Sequence, residues 1–117
     1  MNYTKKELIG KISRKMNHAE IFYEAAETAL TKTELRKLNL IEAASEIATA
    51  FLYLMELHKD KYEEEWTASY KLEEELKELP VSEYDSYKCD EVRKALTVLK
   101  CIIKYNENYF KDEEGYL

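Results

Sequence analysis

The segment LNLIEAASEIATAFLYLMEL, residues 38–57, decides the fold class of this 117-residue chain. Apolar side chains recur in it every three or four positions, which is the period of an α-helix. They form two neighbouring rows: Leu40, Ala44, Ile47, Phe51 and Leu54, and Leu38, Ile41, Ala48, Leu52 and Met55. A helix that is apolar over more than half of its circumference needs neighbours on two or three sides. The segment therefore predicts the centre of a helical bundle or a helix in an oligomer interface.

Residues that make turns are scarce in the chain, which contains two glycines and one proline. An all-β protein needs turn residues at nearly every connection, so this scarcity excludes that class. The sequence also contains neither GxGxxG nor GxxxxGKS/T, the glycine-rich patterns that hold phosphates. Dinucleotide-binding and P-loop chemistry are therefore excluded as well.

Helix start signals divide the chain into segments. Thr4 and Glu7, and again Thr31 and Glu34, have the spacing of a capping box, in which a hydroxyl and a carboxylate satisfy backbone amides at a helix start. With the apolar periodicity, these signals predict one domain, 1–117, with helices over about residues 4–30, 33–58, 61–79 and 82–110 and a tail over 111–117. The expected fold is all-α: an antiparallel bundle of four helices, or of three if the second and third are continuous.

Charge is distributed unevenly along the sequence. The formal net charge is −6 at pH 7, but residues 1–40 carry +3, residues 41–80 carry −7 and residues 81–117 carry −2. A protein that binds nucleic-acid phosphates in general needs a basic stripe. The acidic balance therefore disfavours direct nucleic-acid binding and directs attention to the acidic middle of the chain.

The sequence favours a cytoplasmic protein that does not enter a membrane. The N-terminal lysines are not followed by the apolar segment of a signal peptide, and the longest apolar stretch, Ile47–Met55, is shorter than the ~20 residues that a bilayer requires. Cys89 and Cys101 lie ~18 Å apart along one predicted helix, which is too far for a disulfide. The phase of that helix predicts a buried Cys89 and an exposed Cys101.

No sequence pattern indicates catalysis, a cofactor or a metal site. No glutamate precedes His18 or His58 by three positions, as the Glu-x-x-His motif of di-iron bundles requires. No CxxC or Cys/His spacing suggests zinc, and no serine lies in a GxSxG elbow. We therefore expect a non-enzymatic protein with no catalytic residue, no cofactor and no metal.

Arg14 and His18 suggest an enzymatic alternative. The run Arg14-Lys15-Met16-Asn17-His18 resembles the R-x(4-6)-H motif of HEPN-family ribonucleases, although only three residues separate Arg14 from His18. The resemblance implies a small helical bundle that dimerises and cleaves RNA. Since side chains at i and i+4 share a helix face, the alternative is a ribonuclease-like toxin that uses Arg14 and His18.

The acidic third helix carries the preferred functional prediction. Two glutamate triplets flank two large aromatic residues, and aromatic side chains anchor protein interfaces while a negative field steers a basic partner. We expect this protein to bind another protein with a basic surface, as an inhibitor, immunity factor or adaptor, and to mimic nucleic-acid charge in one version of this role. The composition is compatible with a microbial or phage source. The predicted partner-binding residues are Glu63, Glu64, Glu65, Trp66, Tyr70, Glu73, Glu74 and Glu75.

Two further alternatives concern the rest of the chain. The basic start of the first helix is an alternative nucleic-acid-binding patch, made of Lys5, Lys6, Lys11, Arg14 and Lys15. The wide apolar faces of the second and fourth helices are a reason to expect a homodimer, because a face left uncovered within one chain is covered by a second copy.

Overall fold

The computed structural model describes residues 3–29, 33–59, 61–79 and 86–105. They form four helices: α1 Lys5–Thr28, α2 Thr33–Leu57, α3 Glu63–Glu78 and α4 Ser86–Tyr105. Helix accounts for 91% of the described residues, which contain no strand. The predicted all-α antiparallel bundle of four helices is confirmed. The predicted ends of the fourth helix, 82–85 and 106–110, and the tail lie outside the described residues.

The start of α1 has the predicted capping box. The Glu7 backbone amide donates to Thr4 Oγ1 at 3.1 Å, and the Thr4 amide donates to Glu7 Oε1 at 3.3 Å. These bonds satisfy two backbone donors that have no partner within the helix. The second predicted box includes Thr31, which lies outside the described residues.

Helix α2 is the centre of the bundle. The five residues of its first predicted row are at most 1% exposed, and together with residues of α1, α3 and α4 they form one core cluster. By length and apolarity, Glu34–Leu57 is the one helix in the described ranges that would also suffice to cross a membrane, and 44% of its apolar window is buried inside the bundle. The core helix of a soluble protein has the same properties.

The second apolar row of α2 is only partly covered. Ala48 is 5% exposed, but Leu38 and Leu52 are 60% and 37% exposed. The other three helices pack around the side of α2 that carries the first row, so the opposite side faces outward. Neighbours within this chain therefore cover less of α2 than its sequence predicts.

A break at Tyr62 separates α2 from α3, so the two do not form one rod. Tyr62 precedes the first residue of α3 and has φ 69° and ψ 12°, in the left-handed region. This conformation costs a non-glycine residue roughly 1–2 kcal/mol. The side chain packs against the core and its ring lies edge-on to that of His58 at 6.1 Å. Tertiary contacts therefore hold a turn for which the sequence provides no glycine.

The two sides of the bundle differ in how closely their helices approach. On the closed side, α1 packs against α2 along its length, and Lys15 Nζ lies 3.1 Å from Glu46 Oε2 across this contact. On the open side, α3 and α4 each pack against α2 but make few contacts with each other. The gap between α3 and α4 positions the candidate site.

Candidate functional site

A groove with a volume of about 540 Å³ lies between α3 and α4. Its lining is mainly apolar. Phe51 of α2 lies at its base, and the two walls contribute small or apolar side chains, namely Ala68, Ser69, Leu72, Ala95 and Val98. Val98 is 44% exposed. A volume of this size lies within the range of ligand-binding clefts.

The rim of the groove is charged. Helix α3 contributes Glu65, Lys71 and Glu75, and α4 contributes Glu91 and Lys94. A second hollow of about 460 Å³ shares Ala68 and Lys71 with the groove and adds the carboxylates of Glu63 and Glu64. The two hollows are therefore bordered by five carboxylates and two ammonium groups, a formal charge of −3.

Glu65 is the most unusual residue of the groove. Its Oε2 atom is buried and has no hydrogen-bond partner among the described residues. A carboxylate oxygen withdrawn from water destabilises the protein unless a donor replaces the lost hydration. The residue lies in the first turn of α3, where the helix dipole favours negative charge. Glu65 therefore contributes a negative charge to the wall of the groove.

The opposite face of α3 carries the two predicted aromatic residues. The rings of Trp66 and Tyr70 lie 5.8 Å apart at an interplanar angle of 31°. Trp66 packs partly against the core, whereas Tyr70 is 48% exposed. Lys77 Nζ lies 3.0 Å from Glu73 and 3.6 Å from Glu74, and the hydrogen bond that Lys77 donates to Glu73 raises the pKa of Lys77.

The structure thus distributes the eight predicted partner-binding residues over two faces of α3. Glu63, Glu64, Glu65 and Glu75 border the groove and its adjoining hollow. Trp66, Tyr70, Glu73 and Glu74 lie away from them. The two acidic triplets wind around the helix because three consecutive residues span about 200° of its circumference.

Arg14 and His18 are not paired in the structure. Arg14 is exposed, and His18 Nδ1 lies 3.6 Å from Glu46 Oε2, the oxygen that also contacts Lys15. The imidazole thus faces a carboxylate of α2. This arrangement explains the position of His18 by an ion-pair cluster on the closed side.

Two of the basic residues at the start of α1, Lys11 and Lys15, make separate contacts within the protein. Lys15 pairs with Glu46, and the Lys11 ammonium lies 4.5 Å from the centre of the Tyr3 ring and 5.9 Å from that of Tyr53. Such cation–π contacts hold a lysine against the protein surface. Lys11 and Lys15 are therefore held against different parts of the protein surface.

The two cysteines have the predicted burial, with Cys89 buried and Cys101 exposed. No sequence pattern predicts the contact at Cys89, whose sulfur accepts hydrogen bonds from Arg36 Nε at 3.2 Å and Nη2 at 3.0 Å. Nearby, the Tyr23 hydroxyl donates to Glu27 Oε1 at 2.7 Å. Burial, followed by this hydrogen bond, raises the pKa of Tyr23 to about 12.

The described ranges contain no cluster of three or more His, Cys, Asp or Glu residues arranged to hold a metal ion. No protein-family model matches the sequence, and neither the curated proteins nor the solved structures include a significant match.

Sequence analysis did not identify the groove, although the sequence contains a signal for it. The predicted fourth helix has two apolar rows, and the second includes Ala95, Val98 and Ile102. The predicted third helix has few apolar residues with which to cover that second row. When an apolar helix face lies opposite a helix whose side chains are polar or small, the space between the two helices is not filled. This sequence pattern is typical of a groove.

Proposed function

We propose that this protein acts by binding another protein, without catalysing a reaction, and that the groove between α3 and α4 is the contact surface. The observation that carries the proposal is an apolar base open to solvent and bordered by carboxylates. Leaving apolar surface in water is unfavourable, and such patches with polar rims are typical of interaction sites.

Charge around the groove supports a partner with a basic surface. The formal charge of −3 at the two hollows creates a field that raises the rate of encounter with a cationic partner and lowers it for an anionic one. Roles as an inhibitor, an immunity factor or an adaptor all fit this mode of binding. In the version where the carboxylates mimic nucleic-acid phosphates, binding weakens steeply as salt concentration rises.

Site-specific crosslinking tests the proposal. A photoreactive amino acid replaces Ala68 in the groove, and a matched variant carries it at Glu24, which is exposed on α1. After illumination in the cells that make the protein, we expect a discrete protein adduct from position 68 that is absent from position 24. The same adducts from both positions, or none from position 68, would contradict the proposal.

The exposed leucines of α2 favour a second proposal, a homodimer. Leu38 and Leu52 are 60% and 37% exposed and are equally distant from Ser45 along the helix. Two copies packed antiparallel about Ser45 would place Leu38 of each copy opposite Leu52 of the other, as an isologous interface requires. Light scattering tests this: we expect a dimer at micromolar concentration that Leu38→Glu dissociates. A monomeric wild type would exclude the homodimer.

A further inference from the structure

On the basis of the proposed function, we infer that the groove binds an amphipathic helix of the partner protein whose apolar face is flanked by lysine or arginine, and that the negative charge of Glu65 attracts one of these cations. The inference rests on the dimensions of the groove, on its lack of backbone partners and on its charge.

The dimensions fit a helix of about three turns. The lining extends along α3 from Glu65 to Glu75, which corresponds to ~15 Å of helix axis. Small side chains lie on both walls, Ala68 on α3 and Ala95 on α4. Small residues leave holes into which larger side chains of a neighbouring helix pack, so leucine-sized side chains at helical spacing fit this lining.

The walls of the groove favour a helix over an extended peptide. Both walls are α-helices, whose interior backbone groups are already hydrogen-bonded to each other. An extended peptide would lose water from its own amides without gaining the ladder that a sheet edge provides. A helix satisfies its backbone internally, and it can therefore bury an apolar face here.

Charge favours a basic helix as the occupant of the groove and excludes two segments of this chain from that role. The groove and its adjoining hollow have a formal charge of −3. Residues 106–117 carry four carboxylates and one lysine, and residues 80–85 carry two carboxylates and no basic residue. Both segments have the same sign of charge as the rim, which opposes binding. The carboxylates of the rim, Glu65 among them, instead attract a side chain with a positive charge.

A panel of fluorescent peptides of about 18 residues tests the inference. The first peptide has leucines on one helical face and lysines elsewhere. The second has glutamates in place of the lysines, and the third has the composition of the first in an order without an apolar face. Fluorescence anisotropy measures their affinities, and NMR shift changes at Ala68, Ala95 and Val98 locate the binding. We expect the second and third peptides to bind at least about tenfold more weakly than the first.

Two matched substitutions test the role of Glu65. We expect Glu65→Gln to weaken binding of the first peptide about tenfold, because the cation then meets a neutral acceptor. Glu24→Gln removes the same charge from an exposed position on α1, and we expect it to leave the affinity unchanged. Circular dichroism checks that both variants are folded. Ala68→Trp, which fills the groove, is expected to abolish the shift changes.

Several outcomes would overturn the inference. Equal binding of the first and third peptides would show attraction by charge alone, and equal losses from Glu65→Gln and Glu24→Gln would remove the specific role of Glu65. Self-association abolished by Ala68→Trp would identify a second copy as the occupant. If no peptide binds but position 68 still crosslinks to a partner, the helix is excluded while the proposed function stands; if position 68 gives no adduct, the proposed function fails.

Discussion

The closed side and the open side of the bundle are built from similar helices but filled differently. Between α1 and α2, buried isoleucines and alanines pack together, and Lys15 and Glu46 form an ion pair across the contact. Between α3 and α4, alanines and a half-exposed valine face a space of about 540 Å³. Helix α3 contributes two fully buried residues, whereas α1 contributes eight.

Under the proposed function, this difference assigns stability to the closed side and binding to the open side. In a filled contact each buried methyl group stabilises the fold, so truncating a side chain there destabilises the protein. In a partly open contact the apolar surface remains accessible to a partner. Substituting a residue there is therefore expected to change binding more than stability. Each of the following predictions tests this separation.

The largest expected effect is on the closed side. Ile12 is 0% exposed, and we expect Ile12→Ala to lower the free energy of unfolding by about 3 kcal/mol, through lost burial and the cavity left behind. Val98→Ala, in the groove, is expected to change it by less than about 0.5 kcal/mol, since alanine also has the higher helix propensity. Urea denaturation measures both. Similar losses at the two positions would contradict the separation.

The second prediction concerns alkaline pH and Tyr23, which is 7% exposed. Its pKa is raised to about 12 from the usual value of about 10 for tyrosine, so the folded state holds a proton that the unfolded state releases above pH 10. The stabilisation is complete below pH 10 and is lost as pH rises through 12, by on the order of 2 kcal/mol.

Denaturation of the wild type and of Tyr23→Phe between pH 9 and 12 measures this effect. The variant is expected to show a shallower loss of stability over roughly two pH units, because phenylalanine does not ionise. Absorbance of tyrosinate provides a control, since one late-titrating tyrosine should disappear in the variant. Identical slopes for the two proteins would show that Tyr23 does not hold its proton.

A smaller difference is expected in how much two ion pairs of α1 stabilise the fold. Glu46, which contacts Lys15, is 16% exposed, whereas Glu20, which contacts Lys100 of α4, is 37% exposed. We expect Glu46→Gln to destabilise the fold by about 1 kcal/mol and Glu20→Gln by about 0.3 kcal/mol, because water screens the exposed pair more strongly. Thermal denaturation at low and high salt measures both. A larger loss for Glu20→Gln would reverse the ranking.

The smallest effect on stability is expected from the protonation of His58, next to the break before α3. Burial, followed by the charges of Lys61 and Lys5, lowers the pKa of His58 below 6.5. The unfolded state therefore gains a proton first as the solution is acidified, and stability present above pH 6.5 is lost as pH falls through the folded-state pKa. Replacement by glutamine should flatten this part of the stability profile. A profile unchanged between pH 5 and 7 would contradict it.

Helix positions and the central place of α2 could be predicted from the sequence because they depend on local pattern. The capping box at Thr4 and the row from Leu40 to Leu54 reflect bonds and periodicity within one helix. The burial of Cys89 and the exposure of Cys101 follow from the same phase. Each of these features requires only that a helix form and bury its apolar side.

The apolar row of α4 that lines the groove could be recognised in the sequence, but the width of the groove could not, because it depends on distances between helices. The spacing of α3 and α4 is set by all the side chains that α2 presents to both, and no local pattern reports that sum. The break at Tyr62 has the same origin, since a tyrosine has no intrinsic preference for positive φ. Both features lie between helices, where several weak preferences compete.

The strained backbone at Tyr62 has a consequence for local unfolding. Helix α3 is the shortest of the four, buries only Ser69 and Leu76 fully, and begins at a residue whose strain is released when the first turn unwinds. Its amide hydrogens should therefore exchange with solvent before those of α1 and α2, as the least stable cooperative unit of the fold. Because α3 is also a wall of the groove, an occupant would slow exchange in this helix first, which makes its amides an internal reporter of whether the groove is filled.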